Sequence, residues 1–191
     1  MPDHVDLTTL PPDLPAPTDD GAANHLVGLP LPALALPATD GSWVDLSALP
    51  GRSVVYCYPR TGRPDRPSPA GWDAIPGARG CTAQSCAYRD RYAELSSLGV
   101  RVFGLSAQST EEQHEAAERL RLPYPLLSDE ALALVAALRL PTFAVEGMTL
   151  LKRLTLIVNH GRIERVDYPV FPPNADAGNV VAWLRDRPAT T

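Results

Sequence analysis

The run Ser53-Val54-Val55-Tyr56-Cys57-Tyr58 constrains this chain most: it is almost continuously β-prone and stops at Pro59. Such a run has no polar face, so it predicts a strand buried on both sides in the middle of a sheet, with its ladder ending where proline removes a donor. Layers on both faces of the sheet satisfy that demand. With 191 residues, 45% of them apolar, the chain can build one substantial core, and two large independent domains are not expected.

The flanking pattern agrees. Leu34 and Leu36 share one face of a short edge strand that ends at Pro37, and Thr39 to Ser42 turn the chain back through Trp43 to Leu46. Residues 82–98 favour a helix with Tyr88, Tyr92 and Leu95 on one stripe. Val100 to Leu105 is the next strand. Ser109 with Glu112 is a capping box for a helix to about Leu120, and Ser128 or Asp129 caps another through Leu138. Residues 151–158 and 162–166 form a hairpin around Asn159-His160-Gly161, and residues 174–184 supply a final helix. The expected class is α/β: a thioredoxin-like mixed β-sheet flanked by helices.

Two segments fall outside this pattern. Residues 1–27 are rich in proline and acidic residues and predict an extended arm with little packing of its own, free to lie across the domain or a partner; residues 28–191 then form the domain. Residues 60–80 are dominated by Pro, Gly and Arg and read as a loop, not as another core element. Loops of that length are often functional or mobile.

A net charge of −5 argues against a general polyanion-binding role, so no nucleic-acid partner is expected. The N-terminus lacks a secretory pattern and no apolar run is long enough for a membrane helix, which makes the cytoplasm the expected location. Three cysteines do not make a disulfide-stapled scaffold, and no Cys/His cluster has zinc-site spacing.

The cysteines are therefore read as core or as chemistry. Cys57 lies inside the apolar strand and reads as core. Cys81 stands at a helix start, a solvent-reachable, electropositive entrance where unpaired N–H groups favour thiolate. Cys86 follows in the same helix. A continuous helix would separate the two sulfur-bearing positions by roughly 7.5 Å along its axis and rotate them by about 140°. A disulfide needs Cβ atoms within roughly 3.5–4.5 Å, so linking these two demands that the first helical turns unwind.

The segment Gly80-Cys81-Thr82-Ala83-Gln84-Ser85-Cys86-Ala87-Tyr88-Arg89-Asp90 resembles the active-site stretch of the atypical two-cysteine peroxiredoxins of the bacterioferritin-comigratory-protein, or peroxiredoxin Q, group. Tyr58-Pro59, Leu126-Leu127-Ser128-Asp129 and Arg153-Leu154-Thr155-Leu156-Ile157 match further family segments in order, so the resemblance runs from about Gly28 to Leu184. It implies a hydroperoxide substrate, Cys81 as peroxidatic residue, Cys86 as resolving residue, and Arg153 holding peroxide and thiolate. It further implies thioredoxin or a related dithiol as reductant and no metal, flavin or haem. Resolution within one chain permits a monomer.

The chain departs from the family pattern where Ala74 and Ala78 replace a proline and a threonine before the peroxidatic cysteine. An insertion after Pro59 accounts for the displacement. The missing hydroxyl is then supplied by Thr61 folding back, by Thr82 from the other side, or not at all. Tyr58 either brings a hydroxyl to the site or packs as core, and Cys57 is an alternative resolver. Arg153 is also compatible with a strand-edge salt bridge. His4, His25, His114 and His160 lie in the arm, a polar helix and a turn, and none is assigned as a general base. Two other functions fit the same residues: a thiol-disulfide oxidoreductase, and a non-catalytic redox sensor or partner-binding protein whose site the insertion covers.

Overall fold

The computed structural model describes residues 7–188. The first six residues of the expected arm, His4 among them, lie outside the described residues, as do the last three of the domain. The strands are β1 (Ala35–Pro37), β2 (Trp43–Asp45), β3 (Arg52–Cys57), β4 (Arg101–Ser106), β5 (Leu126–Ser128), β6 (Thr142–Val145), β7 (Met148–Leu151), β8 (Leu154–Asn159) and β9 (Arg162–Asp167). The helices are α1 (Cys81–Asp90), α2 (Tyr92–Ser97), α3 (Thr110–Leu120), α4 (Ala133–Leu138) and α5 (Asp176–Arg185).

The main sheet has the order β5-β4-β3-β8-β9. β3 and β4 are parallel, as are β4 and β5, whereas β8 runs antiparallel to both β3 and β9. The all-apolar run thus occupies the centre of a mixed sheet, as its composition requires. Its side chains alternate between two cores. Val55 and Cys57 join Leu36, Leu105, Leu138 and Leu156 on one face; Val54 and Tyr56 join Tyr88, Leu95, Ile157 and Val180 on the other. The first core is closed by α4 and the β1–β2 hairpin, and the second by α1, α2 and α5.

Local signals hold where their chemistry is self-contained. The Ser109 hydroxyl accepts the Glu112 amide at 3.3 Å and starts α3. The Asp129 carboxylate accepts the amides of Ala133, Leu134 and Val135 at 2.7, 3.2 and 2.8 Å and starts α4.

The structure corrects other expectations. The helix expected over 82–98 is two helices, broken at Arg91. The run 151–158 is not one strand: β7 ends at Leu151, Lys152 and Arg153 bridge the gap, and β8 starts at Leu154. β7 pairs with β6 across Glu146 and Gly147, both at positive φ, in a hairpin whose Glu-Gly turn is a weaker sequence signal than Asn-Gly. The 60–80 segment does contribute core. A 3₁₀ turn at Trp72–Ala74 buries Trp72, which clusters with Ala78 and Leu150. The described part of the arm is packed on the domain, with Ala23 and Leu26 inside the first core. Among the described residues no helix is long and apolar enough to cross a membrane.

Candidate active site

The topology sets the site at the C-terminal end of β3. Cys57 pairs with Leu154 of β8, so Arg153, one residue earlier, emerges at the edge where Tyr58 and Pro59 leave the sheet. The 60–80 segment then returns to deliver Cys81 as the first residue of α1. Gly80 caps this helix at φ 109°, a conformation that favours glycine. Its missing side chain also matters: a Cβ there would approach Pro173 Cγ to 2.5 Å and Leu10 Cδ2 to 3.0 Å. The helix entrance is thus clamped between the arm and the turn before α5.

Arg153 Nη2 donates to Cys81 Sγ at 3.1 Å. The same nitrogen sits 3.2, 3.1 and 3.3 Å from the carbonyl oxygens of Gly77, Ala78 and Arg79, a cradle that fixes it against the sulfur. Nη1 donates to Gln84 Oε1 at 2.5 Å. Nε is buried without a hydrogen-bond partner among the described residues. A guanidinium held this way, together with the first amides of α1, stabilises negative charge on sulfur. As a thiol, Cys81 donates to Ala78 O at 3.6 Å.

One expectation about Cys81 is corrected: it is 3% exposed, packed into the second core with Tyr56, Tyr58 and Tyr88 instead of open to solvent. An apolar cavity of ≈ 270 Å³ lies beside Arg153. Pro17 of the arm, Ile75 and Gly77 of the 60–80 segment, Phe143 of β6 and Tyr168 line it.

Cys86 lies in α1, buried, and burial pushes its thiol up while Arg89 opposes the shift. The described residues contain no disulfide; all three cysteines are free. Cys57 is fully buried in β3, and burial pushes its thiol up strongly.

Thr61 is buried, but its amide and hydroxyl both donate to Gln108 Oε1, at 2.8 and 3.2 Å. Thr82 is buried in the first turn of α1. Tyr58 is fully buried; its oxygen accepts from Gln113 Nε2 at 3.5 Å, and desolvation holds its phenol well above the ordinary value. The structure therefore joins Cys81 to Arg153 and keeps Thr61 and Tyr58 on glutamine partners. Residues that the sequence reading did not single out complete the surroundings: Gln84, Gln108 and Asp176. Gln84 stood inside the recognised segment, whereas nothing local points to Asp176.

The arm is tied down as well. Asp20 accepts from Lys152 Nζ at 2.6 Å and from Tyr168 OH at 2.7 Å, and these two donors hold its carboxyl well below the usual range. Among the described residues no three His, Cys, Asp or Glu side chains gather as a metal site.

A mixed sheet flanked by helices, with a cysteine at a helix entrance against a buried arginine, defines a thioredoxin-fold thiol protein. The chain belongs to the Redoxin family, whose model matches residues 26–182. The resemblance to the bacterioferritin-comigratory-protein and peroxiredoxin Q group is borne out. The chain is similar to chloroplastic peroxiredoxin Q of Suaeda salsa, 36% identical over 100 residues, which cover 52% of this chain and 40% of that protein. It spans about half the length of the curated relatives it matches. Among solved structures it is similar to peroxidoxin BcpB from Mycobacterium tuberculosis, with TM-score 0.67 and 26% identity over 85% of this chain and 99% of that one. Peroxiredoxin Q of Xanthomonas campestris shares the fold, with TM-score 0.65 and 23% identity over 83% of this chain and 96% of that one.

Proposed function

We propose that the chain is a peroxiredoxin that reduces hydrogen peroxide or organic hydroperoxides through Cys81, with thioredoxin or a related dithiol restoring it. The contact that carries this reading is Arg153 Nη2 on Cys81 Sγ at 3.1 Å. The thiolate attacks the terminal oxygen of the hydroperoxide; the oxygen–oxygen bond breaks, and the leaving oxygen takes a proton and departs as water or alcohol. Sulfur is oxidised to sulfenic acid and peroxide is reduced. Arg153 and the helix amides stabilise charge as it moves along the breaking bond.

Cys86 then attacks the sulfenic sulfur, water leaves, and a Cys81–Cys86 disulfide forms. An external dithiol reduces it by exchange and is itself oxidised. Both cysteines lie in one helix, so a monomer suffices, and a reducing cytoplasm supplies the dithiol. The catalytic unit is the domain from Gly28 onward, with the arm and the 60–80 segment as additions. The apolar cavity beside Arg153 gives the organic part of a hydroperoxide a place to lie.

Burial of Cys81 favours one second reading, a redox sensor that oxidises reversibly without turnover. Stopped-flow peroxide reduction with a dithiol, combined with peptide mapping, decides between them. Turnover that vanishes in Cys81→Ser and a mapped Cys81–Cys86 bond support the peroxidase. Oxidation without turnover supports the sensor, and a native Cys57–Cys81 bond overturns the resolver.

A further inference from the structure

Asp176 opens α5, and its residue is 2% exposed. One carboxylate oxygen, Oδ2, accepts from Gln84 Nε2 at 2.7 Å, Tyr88 OH at 2.9 Å and Thr155 Oγ1 at 2.7 Å. These donors come from α1 and β8, and none is a cation. An isolated buried carboxylate is costly, so its charge needs a counterpart.

Gln84 supplies the connection. It is fully buried, and its partners dictate its orientation: the amide nitrogen must face the carboxylate and the amide oxygen must face the guanidinium of Arg153. Apart from Gln84, the hydrogen bonds of Arg153 go to backbone carbonyls and to sulfur. A carboxylate bonded directly to that guanidinium would compete with a thiolate for it. One amide away, it balances the charge and leaves Nη2 on the sulfur.

We propose that Asp176, acting through Gln84, is a positioning residue that holds Arg153 against Cys81 and tempers the guanidinium's pull on the thiolate. The plainer role, a polar latch between α5, α1 and β8, is also present, and the two roles differ in what they do to sulfur. The net effect on the Asp176 carboxyl is upward: burial, aided by the Asp167 carboxylate, raises it more than its three donors lower it. The titratable groups around Cys81 are Arg153, Tyr56 and Tyr58.

The inference rests on the peroxidase reading only for its consequence in rate, because Cys81 alkylation by iodoacetamide reads the sulfur without peroxide. Asp176→Asn keeps an acceptor oxygen for the three donors and removes the charge. It should move the midpoint of the alkylation pH profile to lower pH. Gln84→Met keeps the volume and cuts the bridge. It should move the midpoint to higher pH and slow the peroxide reaction by about 10- to 100-fold, the scale of a misplaced catalytic group. Folding of each variant is checked by circular dichroism and thermal melting, and the native alkylation profile of either folded variant is informative alone. Opposite shifts support the positioning role. Unchanged profiles, shifts in the same direction, or a loss confined to melting temperature overturn it. If the wild type turns over no peroxide, the proposed function fails, while the alkylation profiles still decide this inference.

Discussion

Arg153 and Cys81, 72 positions apart in sequence, meet at 3.1 Å because the Cys57–Leu154 register delivers the arginine to the end of β3, where α1 begins. The arginine is fixed by carbonyls and an amide, so little reorganisation accompanies charge development on sulfur.

Replacing Arg153 by alanine should lower the second-order rate of peroxide reduction by about 10²- to 10³-fold, the usual cost of removing one preorganised donor. Stopped-flow kinetics of the purified, folded variant check this. An unchanged rate would remove Arg153 from the reaction.

Gly80→Ala should destabilise the protein by about 1–3 kcal/mol, since alanine at positive φ is strained. The approach of Pro173 and Leu10 to the new Cβ adds to that strain. Urea denaturation measures the loss. A wild-type midpoint would show that the clamp yields freely.

Oxidation should unwind the start of α1. Cys81 and Cys86 occupy one helix, and their disulfide is incompatible with helical geometry between them. Hydrogen exchange at 81–86 should rise on oxidation, while α3 and β8 stay protected. In Cys86→Ser, peptide mass analysis should find sulfenic acid or mixed disulfides on Cys81, and a normal intrachain bond there would exclude Cys86 as the resolver.

The arm's anchor should respond to acid. The Asp20 carboxyl is depressed by its bonds from Lys152 and Tyr168, so its stabilising contribution is present above the ordinary aspartate value of 3.8 and is lost as pH falls toward its lowered folded value. Titration of the Asp20 carboxyl carbon by NMR should show the depressed midpoint. Asp20→Asn should free the arm to limited proteolysis at neutral pH, and a resistant arm would place the anchoring elsewhere.

What the sequence made legible was local. The apolar run of β3, the Ser109–Glu112 cap and the Asn-His-Gly turn each carry their own signal within a few residues. The Gly80-Cys81 start of α1 was readable for the same reason. What stayed hidden depends on distant partners. Trp72 looks like a loop residue until Leu150 and Ala78 cover it, and the hydroxyl of Thr61 is directed by Gln108. Asp176 reads as an ordinary helix-start carboxylate, yet its partners Gln84 and Tyr88 lie in a helix that begins 95 positions earlier. The open helix entrance expected from Cys81's position failed because Cys81 packs into the core with Val54, Tyr56 and Ile157, strand residues distant from it in the sequence.

The clamp around Gly80 has a kinetic consequence. Under the proposed peroxidase cycle, an oxidised sulfur would dwell at the helix entrance until this grip on Gly80 is released and Cys86 arrives. During that dwell a second peroxide molecule competes, and its product, sulfinic acid, lies beyond the reach of an ordinary dithiol. On that reading the grip of Leu10 and Pro173 would set a tolerance: low peroxide would be cleared cycle after cycle, while a surge would silence the protein.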